Sequence, residues 1–345
     1  MKNSKIFAIS IMGLFLVLSF STNSIGENKV LTVYSYDSFA SWGPAKFIEE
    51  EFEKMTGTEV RFVAPHDSRK MINRLKREME KGGTTADIFL GIESNDIPLV
   101  KDQGLFTNLN LSDLPNLEKV PQRIRMDLKD KLIPYEYGYI TLVYNKDKIS
   151  EEDLPTTFQD LTKEKYRNSL IVEDPRVSSP GYSFLLWTID RFGEEWGEYW
   201  KDLQSSILTI PGGWSEAYDL FTKGEAPMVV SFSTDTAYSK IAGGEFNQGV
   251  LLLENEGYLN IYGMGIVKSS DQPDIAHKFL NFVLSDKVQE KIPTSEWMFP
   301  ANEEARLPVK FYQYAVRPPK EASLSLKEIE KNGNRWLKEW ARIIR

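Results

Sequence analysis

The chain of 345 residues has no cysteine, and its only histidines, His66 and His277, stand 211 positions apart. Without a thiol there is no disulfide framework, no cysteine nucleophile and no lipid-attachment cysteine. Two distant histidines form no zinc-ligand spacing. No serine lies in a nucleophile elbow that would make one of them a triad base. Neither a P-loop nor a GxGxxG is present. Beyond residue 26 no apolar run is long enough to span a bilayer. Basic charge is in the minority: residues 1–26 carry two lysines and no acid, and the remainder has 40 basic against 50 acidic residues. Such a balance speaks against nucleic acid as a partner. The one basic run, Arg69 to Lys81, is interleaved with Glu78 and Glu80 and reads as the solvated face of a helix.

The N-terminus is the first positive signal. Lys2 and Lys5 precede an apolar stretch from Ile6 to Phe20, and Ser24 and Gly26 stand at −3 and −1 of a cleavage after Gly26. That is the tripartite pattern of an export signal, so the mature protein is expected outside the cytoplasm. Left uncleaved, the same run would serve as an anchor. The length that follows predicts about two domains.

After the signal the chain alternates between strand and helix patterns. Leu31 to Tyr36 alternates as a strand, Trp42 to Met55 has helical spacing ending at Gly57, and Val60 to Ala64 is a second strand. A helix over Lys70 to Met79 leads to the apolar strand Asp87 to Gly91, of the kind buried in a parallel sheet. A second series runs through strands Tyr137 to Asn145, Ser169 to Glu173, Ile207 to Ile210 and Met228 to Ser231. Its helices open at Thr157, follow Pro180, and cover Trp214 to Thr222. A further crossover joins Tyr262 to Val267 with a helix from Ile275 to Leu284, and Trp336 and Trp340 mark an amphipathic tail helix. This is an α/β chain of two lobes, each a mostly parallel sheet flanked by helices. No repeat and no Pro/Gly/Ser linker intervenes, so the boundary reads as a hinge crossed by strands.

In open α/β sheets, ligands bind beyond the carboxyl ends of the strands. Those ends carry Tyr36-Asp37-Ser38, His66-Asp67-Ser68, Glu93-Ser94, Ser178-Ser179, Gly213-Trp214-Ser215 and Ser231 to Asp235, with Glu296-Trp297-Met298 late in the chain. Ser179 before Pro180 reads as a helix cap that leaves free amides for an anion, although a capped helix with no ligand is just as ordinary. Tyr36, Trp214, Tyr238 and Trp297 offer aromatic faces to a planar or cationic group, if they do not simply pack in the core. Asp37 and Glu93 are candidates for paired carboxylates. Together these side chains suit a small, flat, cationic ligand with an anionic end.

At these residues the chain resembles the periplasmic thiamine-binding proteins of thiamine ABC transporters, over essentially the whole mature sequence. The matching segments are Leu31 to Phe39 with Trp42-Gly43-Pro44, Asn73-Arg74-Leu75 before Ala86-Asp87, and Tyr137-Gly138-Tyr139 with Val143-Tyr144. Asp174-Pro175-Arg176, Ser179-Pro180-Gly181, Leu185-Leu186-Trp187, Gly213 to Tyr218 and Pro293 to Pro300 complete them, Gly-Trp-Ser-Glu-Ala-Tyr being the most diagnostic. The resemblance implies a type II periplasmic-binding-protein fold. Lobe 1 would hold residues 27–136 and about 259–294, lobe 2 residues 137–258 and about 295–345, with a cleft between them. It implies a non-enzymatic, monomeric receptor without cofactor, which binds thiamine, thiamine monophosphate or thiamine diphosphate and presents it to a membrane permease. Tyr36 and Trp297 would enclose the thiamine rings with Tyr238 nearby, and Asp37 would face the aminopyrimidine or the thiazolium charge. Asp67, Ser68, Trp214, Phe232, Ser233, Thr234 and Asp235 would touch the ligand, with Ser178 and Ser179 donating to phosphate. Three positions depart from the family: Phe232 replaces a tyrosine, Ser68 a glycine, and Asp235 a small neutral residue. An acid near a phosphate raises its binding cost. The same fold also carries ferric-iron and polyamine receptors. Iron carriers, however, use adjacent tyrosines, which this chain lacks, and only three acids are candidates to face a polyamine. An enzyme of the thiaminase type would need a cysteine.

Overall fold

Leu31 and Val33 alternate inward with no exposure, and their segment is β1 (Leu31–Tyr34). It pairs in parallel with β2 (Val60–Val63) and β3 (Ile88–Glu93). The computed structural model describes residues 30–126, 128, 130–242 and 246–344; the expected export signal at residues 1–26 lies outside them. No helix among the described residues is long and apolar enough to cross a membrane.

Between these strands lie α1 (Asp37–Ser41), α2 (Ala45–Thr56) and α3 (Ser68–Glu80). The helical pattern from Trp42 is thus split, because Trp42 ends one helix and Pro44 caps the next. α2 buries Ala45, Ile48 and Phe52 and stops at Gly57, whose φ of 74° is a left-handed cap that glycine adopts without a Cβ penalty. A short α4 (Ile97–Val100) follows β3.

The strands that join the two halves of the sheet are longer than their sequence patterns. β4 spans Ile133–Asn145 and is buried throughout, although Pro134 argues against a central strand. It pairs with β7 (Met228–Phe232), with β8 (Gln248–Leu251), and through residues 133–140 with β9 (Glu256–Ile266). The path across the sheet is β2-β1-β3-β9-β4-β7-β5-β6, where β5 is Leu170–Ile171 and β6 is Ile207–Thr209. Along this path β9 and β4 run antiparallel to their neighbours, while β2-β1-β3 and β7-β5-β6 are parallel. The fold is therefore two parallel flanks joined by long antiparallel strands, with β10 (Phe299–Pro300) and β11 (Lys320–Ala322) added at the sides.

The second flank carries α5 (Ser179–Phe192), α6 (Trp196–Leu203), α7 (Trp214–Thr222) and α8 (Asp235–Ile241), the last without a sequence signal. The helix expected to open at Thr157 is a single 3-10 turn, Gln159–Thr162. Then come α9 (Pro273–Val283), α10 (Asp286–Gln289), α11 (Ile292–Ser295) and α12 (Val309–Tyr314). The tail helix α13 (Leu326–Ile343) starts at Ser325, whose hydroxyl accepts from the Glu328 amide at 3.3 Å. It buries Trp336 and Trp340, the latter edge-on to Trp200 of α6 at 5.7 Å, and Lys101 after α4 pairs with its Glu330 at 3.2 Å. The tail thus touches both flanks.

Candidate functional site

The strand ends converge on one cavity of about 770 Å³, counted with its open mouth. Tyr36 and Asp37 reach it from the end of β1, Asp67 and Ser68 from the start of α3, and Trp214 from the start of α7. Phe232, Thr234, Asp235 and Tyr238 come from β7 and α8, and Trp297 from the loop after α11.

Three expected residues stand elsewhere. Ser178, not Ser179, is the N-cap of α5; both are buried behind the wall of the cavity. The free amides at this helix end meet a carboxylate of the protein itself. Ser179 N–H donates to Asp67 Oδ1 at 3.3 Å, the Ser178 hydroxyl lies 3.4 Å from Asp67 Oδ2, and the Ser179 hydroxyl donates to Asp96 Oδ2 at 2.9 Å. The anion expected from the sequence at this helix start is thus supplied from within, which is what the positive end of a helix favours. Ser233 is buried too; its amide donates to Tyr139 O and its carbonyl accepts from Val316 N–H, both at 2.9 Å.

The cavity also holds Glu136 and Tyr262, which carried no local signal, and Trp42, Tyr218, Glu296 and Met298, which stood in the strand-end and family segments without being assigned to the site. Glu136 was detectable in principle, because a carboxylate inside the otherwise apolar strand β4 is rarely there for packing. Tyr36 donates to its Oε1 at 2.7 Å. That tyrosine ring is seated against Gly91, where φ is 116° and a Cβ would collide with it.

Aromatic rings form the walls. Trp214 stacks on Tyr218 at 4.9 Å and meets Trp42, 52% exposed at the mouth, at 5.7 Å. Tyr238 continues the cluster edge-on to Tyr218 at 6.2 Å and to Trp297 at 5.2 Å, and Tyr36 lies 5.7 Å from Tyr262. Trp214 Nε1 donates to the Ser231 hydroxyl at 2.9 Å, which donates to Asp235 Oδ2 at 2.6 Å.

The charges are of one sign. Asp37, Asp67, Glu93, Glu136, Asp235 and Glu296 line the cavity, and among the described lining residues there is no lysine, arginine or histidine. Withdrawal from water pushes Asp67 up to about 7, against the Ser179 amide, and Asp235 up to about 7, against the Ser231 hydroxyl. Burial, and then Asp96, raise Glu93 well above the carboxylate range. Burial raises Glu136, and burial together with the Glu136 charge raises Glu296.

Each of these groups holds its proton more tightly folded than unfolded, where Asp and Glu titrate near 4. Their contribution to stability is complete below about pH 4 and is lost as pH rises through the folded values, about 7 for Asp67 and Asp235. The ligand-free protein is therefore expected to lose several degrees of melting temperature between about pH 5 and pH 8, and D67N/D235N to lose fewer. Scanning calorimetry across that range checks this; a flat or rising melting temperature would refute it.

A two-lobed α/β chain with a cleft at its strand ends, walled by rings and acids, is built to hold a small solute. The chain belongs to the family of bacterial extracellular solute-binding proteins, whose profile matches residues 38–290. Within that family it is 36% identical over 338 residues to the thiamine-binding periplasmic protein of Brucella abortus, covering 97% of this chain and 98% of that one. It is 32% identical over 329 residues to that of Escherichia coli, covering 95% and 97%. The solved structure of a periplasmic thiamin binding protein superposes with a TM-score of 0.83 at 32% identity, covering 92% of this chain and 96% of that one.

Proposed function

We propose that this chain is the extracytoplasmic receptor of an ABC importer, binding thiamine and its phosphate esters in the cleft and delivering them to a membrane permease. The observation that carries this reading is the cleft itself: aromatic rings for a flat heterocycle and six acidic side chains for its positive charge, with no basic residue among the described lining ones, a lining that favours the unesterified cation over its phosphate esters. Tyr36, Trp214, Tyr238 and Trp297 would hold the rings, and Asp37, Asp67 and Asp235 the charge. The vitamin is cargo; the chain acts as a monomer, performs no chemistry on it, and uses neither cofactor nor nucleic acid. Residues 27–136 with about 259–294 move as one lobe in this reading, and residues 137–258 with about 295–345 as the other.

Thiamine titrated into the purified protein is expected to quench tryptophan fluorescence, through Trp42, Trp214 and Trp297, with a dissociation constant in the micromolar range or below. Calorimetry with the mono- and diphosphate ranks the esters, and mass spectrometry should recover the vitamin intact. A response to ferric citrate or spermidine but not to thiamine would overturn the assignment.

A further inference from the structure

Two buried side-chain oxygens of cleft-lining residues have no hydrogen-bond partner, Thr234 Oγ1 and Glu136 Oε2, and only the second belongs to an acid. Glu136 lies in the first third of β4 with no exposure, yet it lines the cavity. Its Oε1 accepts from the Tyr36 hydroxyl at 2.7 Å, and Tyr36 in turn lies 3.2 Å from the Tyr135 hydroxyl. Its Oε2 is fully buried and has no partner in good hydrogen-bond geometry, the Tyr135 hydroxyl being close enough to favour the charged carboxyl but not aligned on it. Leaving such an atom unpaired costs about 1–3 kcal/mol, more if it is charged. The groups around it are all acidic or neutral. Tyr262 faces it in register from β9, Tyr135 precedes it on its own strand, Pro300 pairs with it from β10, and Tyr36 comes from the end of β1. Glu296, from the loop after α11, also reaches Tyr36 and Ser38, and Asp37 and Glu93 stand further along the same wall.

We propose that Glu136 is a ligand-binding residue: its unpaired Oε2 accepts an N–H from the amino-substituted ring of the cargo, with Glu296 alongside, and a proton leaves this carboxyl pair for solvent when a cationic ligand enters. The assignment rests on the thiamine reading above, and it names the end of the vitamin that meets the floor of the cleft. The geometry favours a donor, because Tyr36 already satisfies one oxygen of Glu136 and only the other is unpaired. The proton balance follows from burial. Two neighbouring carboxyls without a counter-ion do not both ionise. A fixed positive charge beside them lets the pair release a proton, so one cation enters as one proton departs.

Two measurements test this on the full chain. The first needs no variant. Oxythiamine carries an oxo group where thiamine carries the ring amino group, and so replaces the donor by an acceptor. Wild type is expected to bind thiamine about 10- to 100-fold more tightly than oxythiamine, the size of a hydrogen bond to a charged group. Glu136→Gln, whose amide can donate to the oxo group, should shrink or reverse that ratio. The second is calorimetry of thiamine binding near pH 7 in buffers of different ionisation enthalpy. It should detect net proton release by wild type and less by E136Q. If wild type binds thiamine and oxythiamine equally and releases no proton, the role of Glu136 is refuted while the receptor reading stands. If wild type binds neither, the receptor reading falls and this assignment with it.

Discussion

Arg69→Met is expected to destabilise the protein by about 3–5 kcal/mol, the cost of leaving a buried charge without its partner. Arg69 is 3% exposed on α3, and its Nη1 lies 3.5 Å from Asp96 Oδ1, which has no exposure. The same nitrogen donates to Pro175 O at 3.2 Å, and the guanidinium lies 4.0 Å over the Tyr182 ring. Asp96 accepts from the Ser179 hydroxyl on its other oxygen. One guanidinium therefore ties α3 to the segment entering α5. Burial already holds Asp96 above the ordinary aspartate value, and Arg69 is the main influence lowering it. In R69M that carboxyl takes up a proton on folding, so the variant recovers stability as pH falls and loses it as pH rises. R69M/D96N should regain much of the loss, because the stranded charge is gone. Chemical denaturation of the three proteins at two pH values measures all of this; an R69M cost below about 1 kcal/mol would mean that the charge is not truly withdrawn from water.

Trp297→Gly is expected to weaken thiamine binding by about 100-fold while leaving stability almost unchanged. Trp297 has a φ of 60°, a left-handed backbone that costs a bulky residue about 1–2 kcal/mol. Glycine removes that strain together with the packing of the indole on Tyr238, and the two effects offset each other. The binding loss has no such offset, since a ring face against a cationic heterocycle contributes up to about 2 kcal/mol by cation–π attraction, beyond its buried area. Trp297→Ala should lose the same affinity and also lose stability, because alanine keeps the strain and forfeits the ring. Trp297→Phe should keep most of both. Titration calorimetry and thermal unfolding of the three variants separate these outcomes; a W297G protein that binds like wild type would remove Trp297 from the site.

The parallel flanks were legible in the sequence because their strands are short, apolar and punctuated. β1, β2, β3 and β7 fall close to their expected places, as does the Gly57 stop. The connecting strands were half legible. Pro134 and Gly138 in β4, and Gly257, Gly263 and Gly265 in β9, break the alternation that marks a strand, and only tertiary pairing restores it. Tyr36, Asp67, Trp214, Phe232, Tyr238 and Trp297 could be assembled because strand ends converge in this kind of sheet. Glu136 and Tyr262 escaped because they lie within the connecting strands and not at an end. The most instructive case is α5. A helix start rich in hydroxyls predicts an acceptor of negative character, and in this structure the Asp67 carboxyl, 112 positions earlier in the chain than Ser179, occupies that place. Local chemistry states what a group requires and is silent on whether the chain itself provides it.

The pair of indoles at the mouth also bears on timing. Trp42 at the end of α1 and Trp214 at the start of α7 meet at 5.7 Å. A contact between rings is worth about 0.5–1.5 kcal/mol, which lengthens the residence of a bound molecule by only about 2- to 13-fold. On that scale this contact adds little to the hold of the cleft, beside the rings and acids farther in. A receptor that must surrender what it carries gains from a mouth that does not set the clock.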